Sequence, residues 1–445
     1  MAYEIIAGRG SKERERFGLD GTIFIGKNYV QFGKDISLAN PIHLDIANPH
    51  VILVAGKRGS GKSYTLSTIA EGMLDLPKEI GKNISTIIFD TLGIFWTMKY
   101  PNYRDDAILR EWNLTPKNYS PIIYVPFGLF KTYQEKGIPV DLPFALKPNE
   151  VSAESWAEMF NIDLISGEGT LIERAVDAAN ITLGDYEIDD LIELSNQDHK
   201  STDKERNVIE NRFGAAKKWG IFNKSGTKIS QLFKGGTNTI IDLSAYSQVE
   251  GGHRIKALVI GLLSKKILQQ RMLARKTEEI NLISSGGFLL GKELASTGED
   301  APMIWIMIDE AHEFIPHEDQ AKTLATEPLM QLLREGRQPG ISVVLATQQP
   351  GKIHTDVMTQ ADIVISHKIT SKIDIDALNL IASTYLPKAI QFYVDSLPTT
   401  KGSAILIDDK LERIYPIQIK PKASWHGGSD PTAVREHLRA FKLTY

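Results

Sequence analysis

Short, continuous apolar runs appear along the chain from residue 51 onward, and each is followed by glycine or polar residues and then by a helical pattern. Runs of this kind are typical of parallel strands that helices cover on both faces. The predicted strands span residues 51–55, 86–90, 122–126, 239–243, 305–309, 342–346, 362–366, 404–407 and 414–419. The alternation of strands and helices predicts a doubly wound α/β fold.

The first 50 residues follow a different pattern, with short strand-like segments separated by turns. Residues 22–25 and 28–31 flank the pair Gly26-Lys27, which suits a two-residue type II′ turn and therefore predicts a β-hairpin. Residues 42–46 alternate between apolar and polar side chains, as a half-buried strand does. We therefore expect residues 1–50 to form a small N-terminal β module.

Residues 142–235 interrupt the strand–helix rhythm because they are strongly charged and carry mainly helical patterns. We interpret them as a helical subdomain inserted between two parts of the core, residues 51–141 and 236–420. Residues 284–302 are rich in glycine and serine, which predicts a loop. Residues 421–445 are predicted to form a C-terminal tail with a turn and a short helix.

Composition narrows the classes of function. The 445 residues include no cysteine, which excludes disulfides, zinc–thiolate sites and cysteine nucleophiles. The formal net charge of −4 means that any contact with nucleic acid must come from local patches. No apolar run has the roughly 18–20 residues that a membrane-spanning helix requires. From these features we expect a soluble, cytoplasmic protein without a membrane partner.

The segment GKRGSGKS at residues 56–63 fits the phosphate-binding pattern G-x-x-x-x-G-K-[ST]. It follows a predicted strand and opens a predicted helix, which lets backbone N–H groups and the helix N-terminus face phosphate oxygens. Lys62 is expected to reach the β- and γ-phosphates of ATP, and Ser63 to hold Mg²⁺. Thr65 and its neighbours are expected towards the base or ribose. The candidate nucleotide-binding residues are Gly56, Gly59, Ser60, Gly61, Lys62, Ser63 and Tyr64.

Residues 303–308 are almost wholly apolar, and Asp309 and Glu310 follow at the end of this run. An apolar strand that ends in an acidic pair is the Walker B pattern, in which Asp309 would help to hold Mg²⁺. Glu310 would orient and deprotonate the attacking water. The same pair could instead be an acidic first turn of a helix. Asp90 also ends a predicted strand and is the second candidate for the metal ligand, although no glutamate follows it.

Two further groups lie around the strand predicted at residues 342–346. Gln348 follows the strand and could sense the γ-phosphate and position water, or could be an ordinary loop glutamine. Arg334 and Arg337 precede it, where an arginine at a subunit edge could act as an arginine finger on the ATP of a neighbouring copy. Basic residues are also favourable at a helix C-terminus before a glycine, so a purely capping role stays open.

Taken together, the segments VAGKRGSGKS, IMIDEAHEF, LLREGRQPGISVVLATQQP and GSAILID resemble the HerA/FtsK superfamily of ring ATPases, and its HerA branch most closely. The resemblance extends from about Gly21 to Gly428. It implies a RecA-like P-loop core, a homo-hexamer that moves double-stranded DNA through its pore, and a partner such as a NurA-type nuclease or another effector, in end resection or antiviral defence. It also favours Glu310 and Gln348 as catalytic residues, and Arg337 ahead of Arg334 as the finger.

The sequence departs from the family pattern at several points. The family's N-terminal barrel is usually longer than 50 residues, and its H-G-E segment after the second core strand is replaced here by the sequence DTLGIF at residues 90–95. Lys57 and Arg58 stand where small residues are common, and Gln349 stands where arginine is common. Two other hypotheses stay open: a ring that binds ATP and DNA chiefly to scaffold and activate an effector, and a secretion or conjugation ATPase.

Overall fold

The computed structural model describes residues 3–32, 35–284, 301–382 and 390–428. The helix predicted near the C-terminus, and almost all of the loop predicted at residues 284–302, lie outside these ranges. Among the described residues, no helix combines the length and apolar character that a membrane crossing needs.

One sheet of thirteen strands runs through the described structure. Its strands are β1 (Ile5–Ala7), β2 (Thr22–Phe32), β3 (Asp35–Asp45), β4 (Val51–Ala55), β5 (Ile84–Asp90), β6 (Ile122–Pro126), β7 (Leu142–Phe144), β8 (Asn238–Asp242), β9 (Met303–Ile308), β10 (Ile341–Thr347), β11 (Ile363–His367), β12 (Ser403–Asp408) and β13 (Arg413–Ile419). They are arranged in the order β1-β3-β2-β13-β12-β11-β4-β10-β9-β5-β8-β6-β7. The strands from β11 to β7 in this order are parallel, and β12, β13 and β2 continue the sheet with antiparallel pairing.

Helices cover both faces of this sheet. Within the described ranges they are α1 (Ser11–Phe17), α2 (Lys62–Leu74), α3 (Lys78–Gly81), α4 (Asp106–Glu111), α5 (Phe130–Glu135), α6 (Ala153–Phe160), α7 (Gly167–Thr182), α8 (Ile188–Asn196), α9 (Asp203–Lys218), α10 (Ile229–Leu232), α11 (Gly252–Ser284), α12 (Thr326–Glu335), α13 (Thr355–Gln360), α14 (Lys372–Ala382) and α15 (Ile390–Asp395).

Strand β4 shows why the core strands read as continuous apolar runs. Ile52 and Val54 join the hydrophobic cluster that includes α2, whereas Leu53 and Ala55 join the cluster on the opposite face. Successive side chains of a strand point to opposite faces, so a strand covered on both sides is apolar at every position. The predicted doubly wound α/β core is confirmed, and each predicted core strand lies within two residues of its observed bounds.

The hairpin predicted around Gly26-Lys27 is wrong. Residues 22–32 form the single long strand β2, which pairs antiparallel with β3 on one side and with β13 on the other. Gly26 permits a close approach rather than a turn, because a Cβ atom there would lie 2.2 Å from the carbonyl oxygen of Gln418. The N-terminal strands therefore extend the edge of the main sheet.

A buried ionic network joins these N-terminal strands to the core. The His50 ring contacts Asp362 through Nδ1 at 2.7 Å and Asp45 through Nε2 at 3.3 Å. Arg9 donates to the second oxygen of Asp45 at 2.6 Å. The two carboxylates outweigh the effect of burial and raise the pKa of His50 to about 9, so the imidazole is protonated at neutral pH.

Between β7 and β8 the chain forms α6 to α10, and an aromatic cluster organises their core. The Trp156 ring centroid lies 5.3 Å from that of Phe213 and 4.9 Å from that of Phe222. These rings join the hydrophobic cluster shared with α11 and α12. The helices are consequently packed on the same face of the sheet as α11.

Candidate active site

The phosphate-binding loop lies between the carboxyl end of β4 and the first turn of α2. Gly61 precedes the helix with φ +116°, a value that side-chain-bearing residues rarely adopt. At Gly56 a Cβ atom would lie 2.7 Å from Cβ of His367. The loop is therefore tightly curled, and it presents the free N–H groups of the first turn of α2 at the carboxyl edge of the sheet.

Ser63 and Asp309 meet across this edge. The Ser63 hydroxyl donates to Oδ2 of Asp309 at 2.5 Å, and the Lys62 ammonium faces the carbonyl of Lys57 at 3.5 Å. Burial raises the pKa of Asp309, while the Ser63 hydrogen bond and the Lys62 charge oppose that rise. A hydroxyl and a carboxylate oxygen in contact are hard oxygen donors of the kind that Mg²⁺ prefers, so these two residues fit the predicted metal ligands.

Glu310 has an unusual backbone and an unusual side-chain environment. Its φ of +53° and ψ of +43° place a residue with a side chain in the left-handed region, which typically costs about 1–3 kcal/mol and is concentrated at functional sites. Its buried Oε2 has no hydrogen-bond partner among the described residues. Burial, reinforced by the charge of Asp309, raises its pKa to about 7. Such a carboxyl group can accept a proton near neutral pH.

Gln348 follows β10, which lies directly between β4 and β9. This strand order brings Gln348 between the phosphate-binding loop and the acidic pair, and its backbone N–H favours the charged form of Glu310. The preceding Thr347 hydroxyl lies 3.2 Å from Nδ1 of His312, which in turn is 3.6 Å from Oε2 of Glu310. Glu310 and Gln348, the residues predicted to act on the attacking water, therefore lie together at the carboxyl ends of the strands.

Asp90, the second candidate for the metal ligand, is occupied by its own turn. One of its carboxylate oxygens accepts from the N–H groups of Leu92 at 3.2 Å and Gly93 at 2.7 Å, and the other accepts from Phe95 at 2.9 Å. Burial and the neighbouring Asp242 raise its pKa to about 7. The geometry favours a turn-capping role for Asp90 and leaves Asp309 as the better ligand.

The Tyr64 side chain points away from the loop towards residues 422–426. Its hydroxyl accepts from the backbone N–H of Lys422, and its ring meets that of His426 edge-on at 5.2 Å. Two turns further along α2, buried Glu71 accepts from the N–H groups of Ala423 at 3.1 Å and Ser424 at 2.9 Å. The side chain of Tyr64 thus anchors residues 422–426, and only its backbone is left for the predicted contact with nucleotide.

His367 is a residue of this site that the sequence analysis did not select. Its fully buried ring lies beneath the phosphate-binding loop, with Nε2 2.9 Å from the hydroxyl of Thr65 and Nδ1 3.1 Å from the carbonyl of Ser403. Burial lowers its pKa to about 4, so the ring is neutral and Nδ1–H donates to the carbonyl. A lone histidine at a strand end gives no sequence signal for this supporting role.

Both candidate finger arginines precede β10. Arg337 lies beyond the amino end of this strand, whereas the phosphate-binding loop lies at the carboxyl ends of the strands. Arg334 forms an ion pair with Asp356 through Nε at 2.9 Å and through a second guanidinium nitrogen. Arg337 is exposed, and its side chain forms no ion pair or hydrogen bond within the described part of the chain. The six residue steps from Ile341 to Thr347 span roughly 20 Å, which exceeds the reach of an arginine side chain. Arg337 precedes this strand by four residues, so it cannot reach the phosphate-binding loop of its own chain.

Comparison with known proteins identifies the family of this chain. The model described as "Helicase HerA, central domain" matches residues 30–267, just over half of the chain, and the zonular occludens toxin (Zot) model matches residues 234–391. The DNA double-strand break repair helicase HerA of Sulfurisphaera tokodaii is 22% identical over 422 residues, which cover 95% of this chain and 74% of the relative. HerA of Pyrococcus furiosus is also 22% identical, over 84% of this chain and 67% of the relative.

Solved structures show the same fold at lower identity. VirB4 of Thermoanaerobacter pseudethanolicus aligns with a TM-score of 0.54 and 12% identity over 94% of this chain and 98% of its own. The bacterial conjugative coupling protein TrwB aligns with a TM-score of 0.52 and 13% identity over 92% and 96%, respectively. These likenesses establish the P-loop ATPase fold, and the match to the central-domain model establishes that the chain belongs to the HerA helicase family.

Proposed function

We propose that this protein hydrolyses ATP to ADP and phosphate and uses the energy to move along double-stranded DNA, as a translocase or helicase. The observation that carries the proposal is the contact between Ser63 and Asp309 beside a buried carboxylate oxygen of Glu310 that has no hydrogen-bond partner among the described residues. Both relatives described above are named as DNA double-strand break repair helicases, which supports DNA as the substrate.

Each of the site residues at the carboxyl ends of the strands has a role in this proposed hydrolysis of ATP. Lys62 and the N–H groups of the loop bind the β- and γ-phosphates, and Ser63 and Asp309 would hold Mg²⁺. When bound, Mg²⁺ would neutralise charge on the phosphate oxygens. Glu310 orients the attacking water and takes its proton as the bond to phosphorus forms, which its pKa of about 7 permits. Gln348 lies where it can position the same water.

We also propose that six copies of the chain form a ring. The support for this ring is the placement of Arg337, which is exposed and distant from the phosphate-binding loop of its own chain. In a head-to-tail ring the edge that carries Arg337 can face the phosphate-binding edge of the next copy. Its guanidinium would then stabilise the charge that develops on the γ-phosphate, as arginine fingers do. Arg334 is the second candidate, although Asp356 already engages it.

The proposal also extends to a protein partner, either a NurA-type nuclease or another effector, in DNA end processing or antiphage defence. Family membership alone supports this extension. The alternative function is a ring that binds ATP and DNA mainly to scaffold and activate such an effector. The two functions differ in whether turnover of ATP is coupled to movement along DNA.

The test measures ATP turnover with and without linear double-stranded DNA, together with displacement of a protein roadblock bound to that DNA. A translocase is expected to hydrolyse ATP faster with DNA and to remove the roadblock. Glu310→Gln is the matched control, because it keeps the shape of the site without the base. ATP-dependent activation of an effector without DNA-stimulated turnover or roadblock displacement would favour the scaffold.

A further inference from the structure

A buried arginine on the long helix α11 binds the loop that carries the candidate finger. Arg271 donates through Nε to the carbonyl of Pro339 at 2.8 Å and through Nη1 to the carbonyl of Ala301, also at 2.8 Å. Only 2% of Arg271 is exposed. Pro339 lies two residues after Arg337, in the loop formed by residues 336–340, which we call the finger loop.

Arg271 is held in turn by an acidic side chain two turns further along the same face of α11. Glu278 accepts from Arg271 at 3.2 Å through one oxygen and from Arg275 at 3.2 Å through the other. Glu278 is itself buried. The planar guanidinium can satisfy a carboxylate and two carbonyls at once, which a lysine ammonium at the end of a flexible chain cannot reproduce.

The rest of the finger loop is fixed through its backbone. Ile341 donates to the carbonyl of Gly336 at 2.8 Å, and Gly340 donates to that of Arg337 at 3.3 Å. Pro339 has no N–H group, so the carbonyl bound by Arg271 is its only backbone hydrogen-bonding group. The loop therefore has a rigid base, while the Arg337 side chain extends from it into solvent.

Stability alone is a weak reason for such a buried ion pair. Replacing buried ion pairs with apolar side chains is often neutral or stabilising, because desolvation offsets most of the electrostatic gain. A geometric role explains the pair better. We propose that Arg271, held by Glu278, is a positioning residue that fixes the finger loop so that Arg337 reaches the ATP site of the neighbouring copy. This inference rests on the proposed function of Arg337.

The test uses Arg271→Lys, which keeps the charge but loses the planar fork. We expect folded rings that bind ATP with unchanged KM and hydrolyse it about 10–100-fold more slowly, since a misplacement of about 1 Å can cost 10²-fold in rate. Arg275→Gln is the matched control, because Arg275 contacts Glu278 but no carbonyl of the finger loop, and it should keep near wild-type turnover. The double variant Arg271→Met with Glu278→Met removes both buried charges together, and it should show the same loss if Arg271→Lys does not fold.

Mixed rings separate a positioning role from general damage. Lys62→Ala has a disabled ATP site but an intact Arg337, whereas Arg337→Ala has an intact site and no finger. If Arg271→Lys impairs only the donated finger, mixing it with Lys62→Ala should restore turnover, and mixing it with Arg337→Ala should not. Subunit exchange is verified first with fluorescently labelled copies.

Three results would overturn the inference: wild-type turnover by both the Arg271→Lys rings and the double-variant rings, rescue of Arg271→Lys by Arg337→Ala, or rescue by neither partner. A failure of the proposed function would look different. In that case Arg337→Ala rings alone would hydrolyse ATP at the wild-type rate, whatever Arg271→Lys does.

Discussion

Glu310 combines three properties that a general base beside a phosphate needs. It lies next to the Ser63–Asp309 contact, one of its oxygens is buried without a hydrogen-bond partner among the described residues, and its pKa is raised to about 7. The left-handed backbone turns this residue out of the line of β9, and the cost of that conformation is consistent with a functional position.

We expect Glu310→Gln to bind ATP normally and to lose turnover by roughly 10²–10⁴-fold, the usual range for a lost general base. The amide has nearly the same shape as the carboxyl group but cannot take the proton from water. Single-turnover hydrolysis and nucleotide binding measured on the same sample separate the two effects. Glu313→Gln is the control, because Glu313 faces Lys256 at 3.7 Å, and it should keep most of the activity. Equal losses in both variants would remove Glu310 from its assigned role.

Lys62 is the first residue of α2 and belongs to the phosphate-binding loop. Lys62→Ala should abolish ATP binding or turnover, because the ammonium supplies the positive charge that meets the β- and γ-phosphates. The melting temperature should stay close to that of the wild type, since the only hydrogen bond of this ammonium in the described residues is to Lys57 at 3.5 Å. Full ATPase activity in Lys62→Ala would mean that the loop does not bind the nucleotide as proposed.

The sequence motifs indicated candidate groups that are adjacent in the chain, Lys62 with Ser63 and Asp309 with Glu310. The sequence could not select His367, because the importance of that residue comes from its place beneath the loop, on a strand about 300 residues further along the chain. Nor could it show that the Tyr64 side chain is engaged by the C-terminal segment. Both facts depend on tertiary packing and leave no local pattern.

Among the helices and strands of the fold, the buried parallel strands were the most predictable, because burial on both faces requires an apolar residue at every position. The N-terminal strands were less predictable. A Gly-X pair between two short β-patterns normally indicates a hairpin turn, but here β13 approaches the backbone at Gly26. A glycine needed for a close approach and one needed for a turn look the same in a single sequence.

The His50 network joins β4 to the N-terminal strands and should make the stability of the protein depend on pH. The pKa of His50 is about 9 in the folded protein against 6.5 for an unperturbed histidine. Its contribution is therefore complete below pH 6.5 and is lost as the pH rises through about 9. The expected loss is roughly 3 kcal/mol in the free energy of unfolding, from about 1.4 kcal/mol per pKa unit.

Denaturant unfolding of wild type and His50→Gln between pH 6 and pH 10 tests this prediction. The variant should be less stable at pH 6, because Asp45 and Asp362 lose their shared cationic partner. The difference between the two proteins should shrink towards pH 10, where the wild-type ring is neutral. A stability difference that is constant across this range would show that the charge of His50 does not hold the network together.

In the proposed mechanism, the ATP site is completed only by a second copy of the chain. The loop, the acidic pair and Gln348 lie at the carboxyl edge of the sheet, while Arg337 lies beyond the amino end of β10. The sequence could suggest a finger near residues 334–337, but it could not choose between the two arginines. The structure favours Arg337, since Asp356 engages Arg334.

We expect Arg337→Ala to form rings, to bind ATP and to hydrolyse it roughly 10³–10⁵-fold more slowly, the range seen for arginine fingers. Arg334→Ala should lose far less activity, because its main interaction is the exposed ion pair within its own chain. Steady-state ATPase assays on rings verified by light scattering compare the two. The reverse order of the two losses would identify Arg334 as the finger.

Particle imaging of the protein with double-stranded DNA and a slowly hydrolysed ATP analogue tests most directly whether ATP is hydrolysed between neighbouring copies of a ring that encloses DNA. We expect six copies around the duplex, with the nucleotide held by Lys62 and Ser63 of one copy and its γ-phosphate contacted by Arg337 of the next. A nucleotide enclosed by a single chain, with Arg337 in solvent or the DNA outside the assembly, would contradict this expectation.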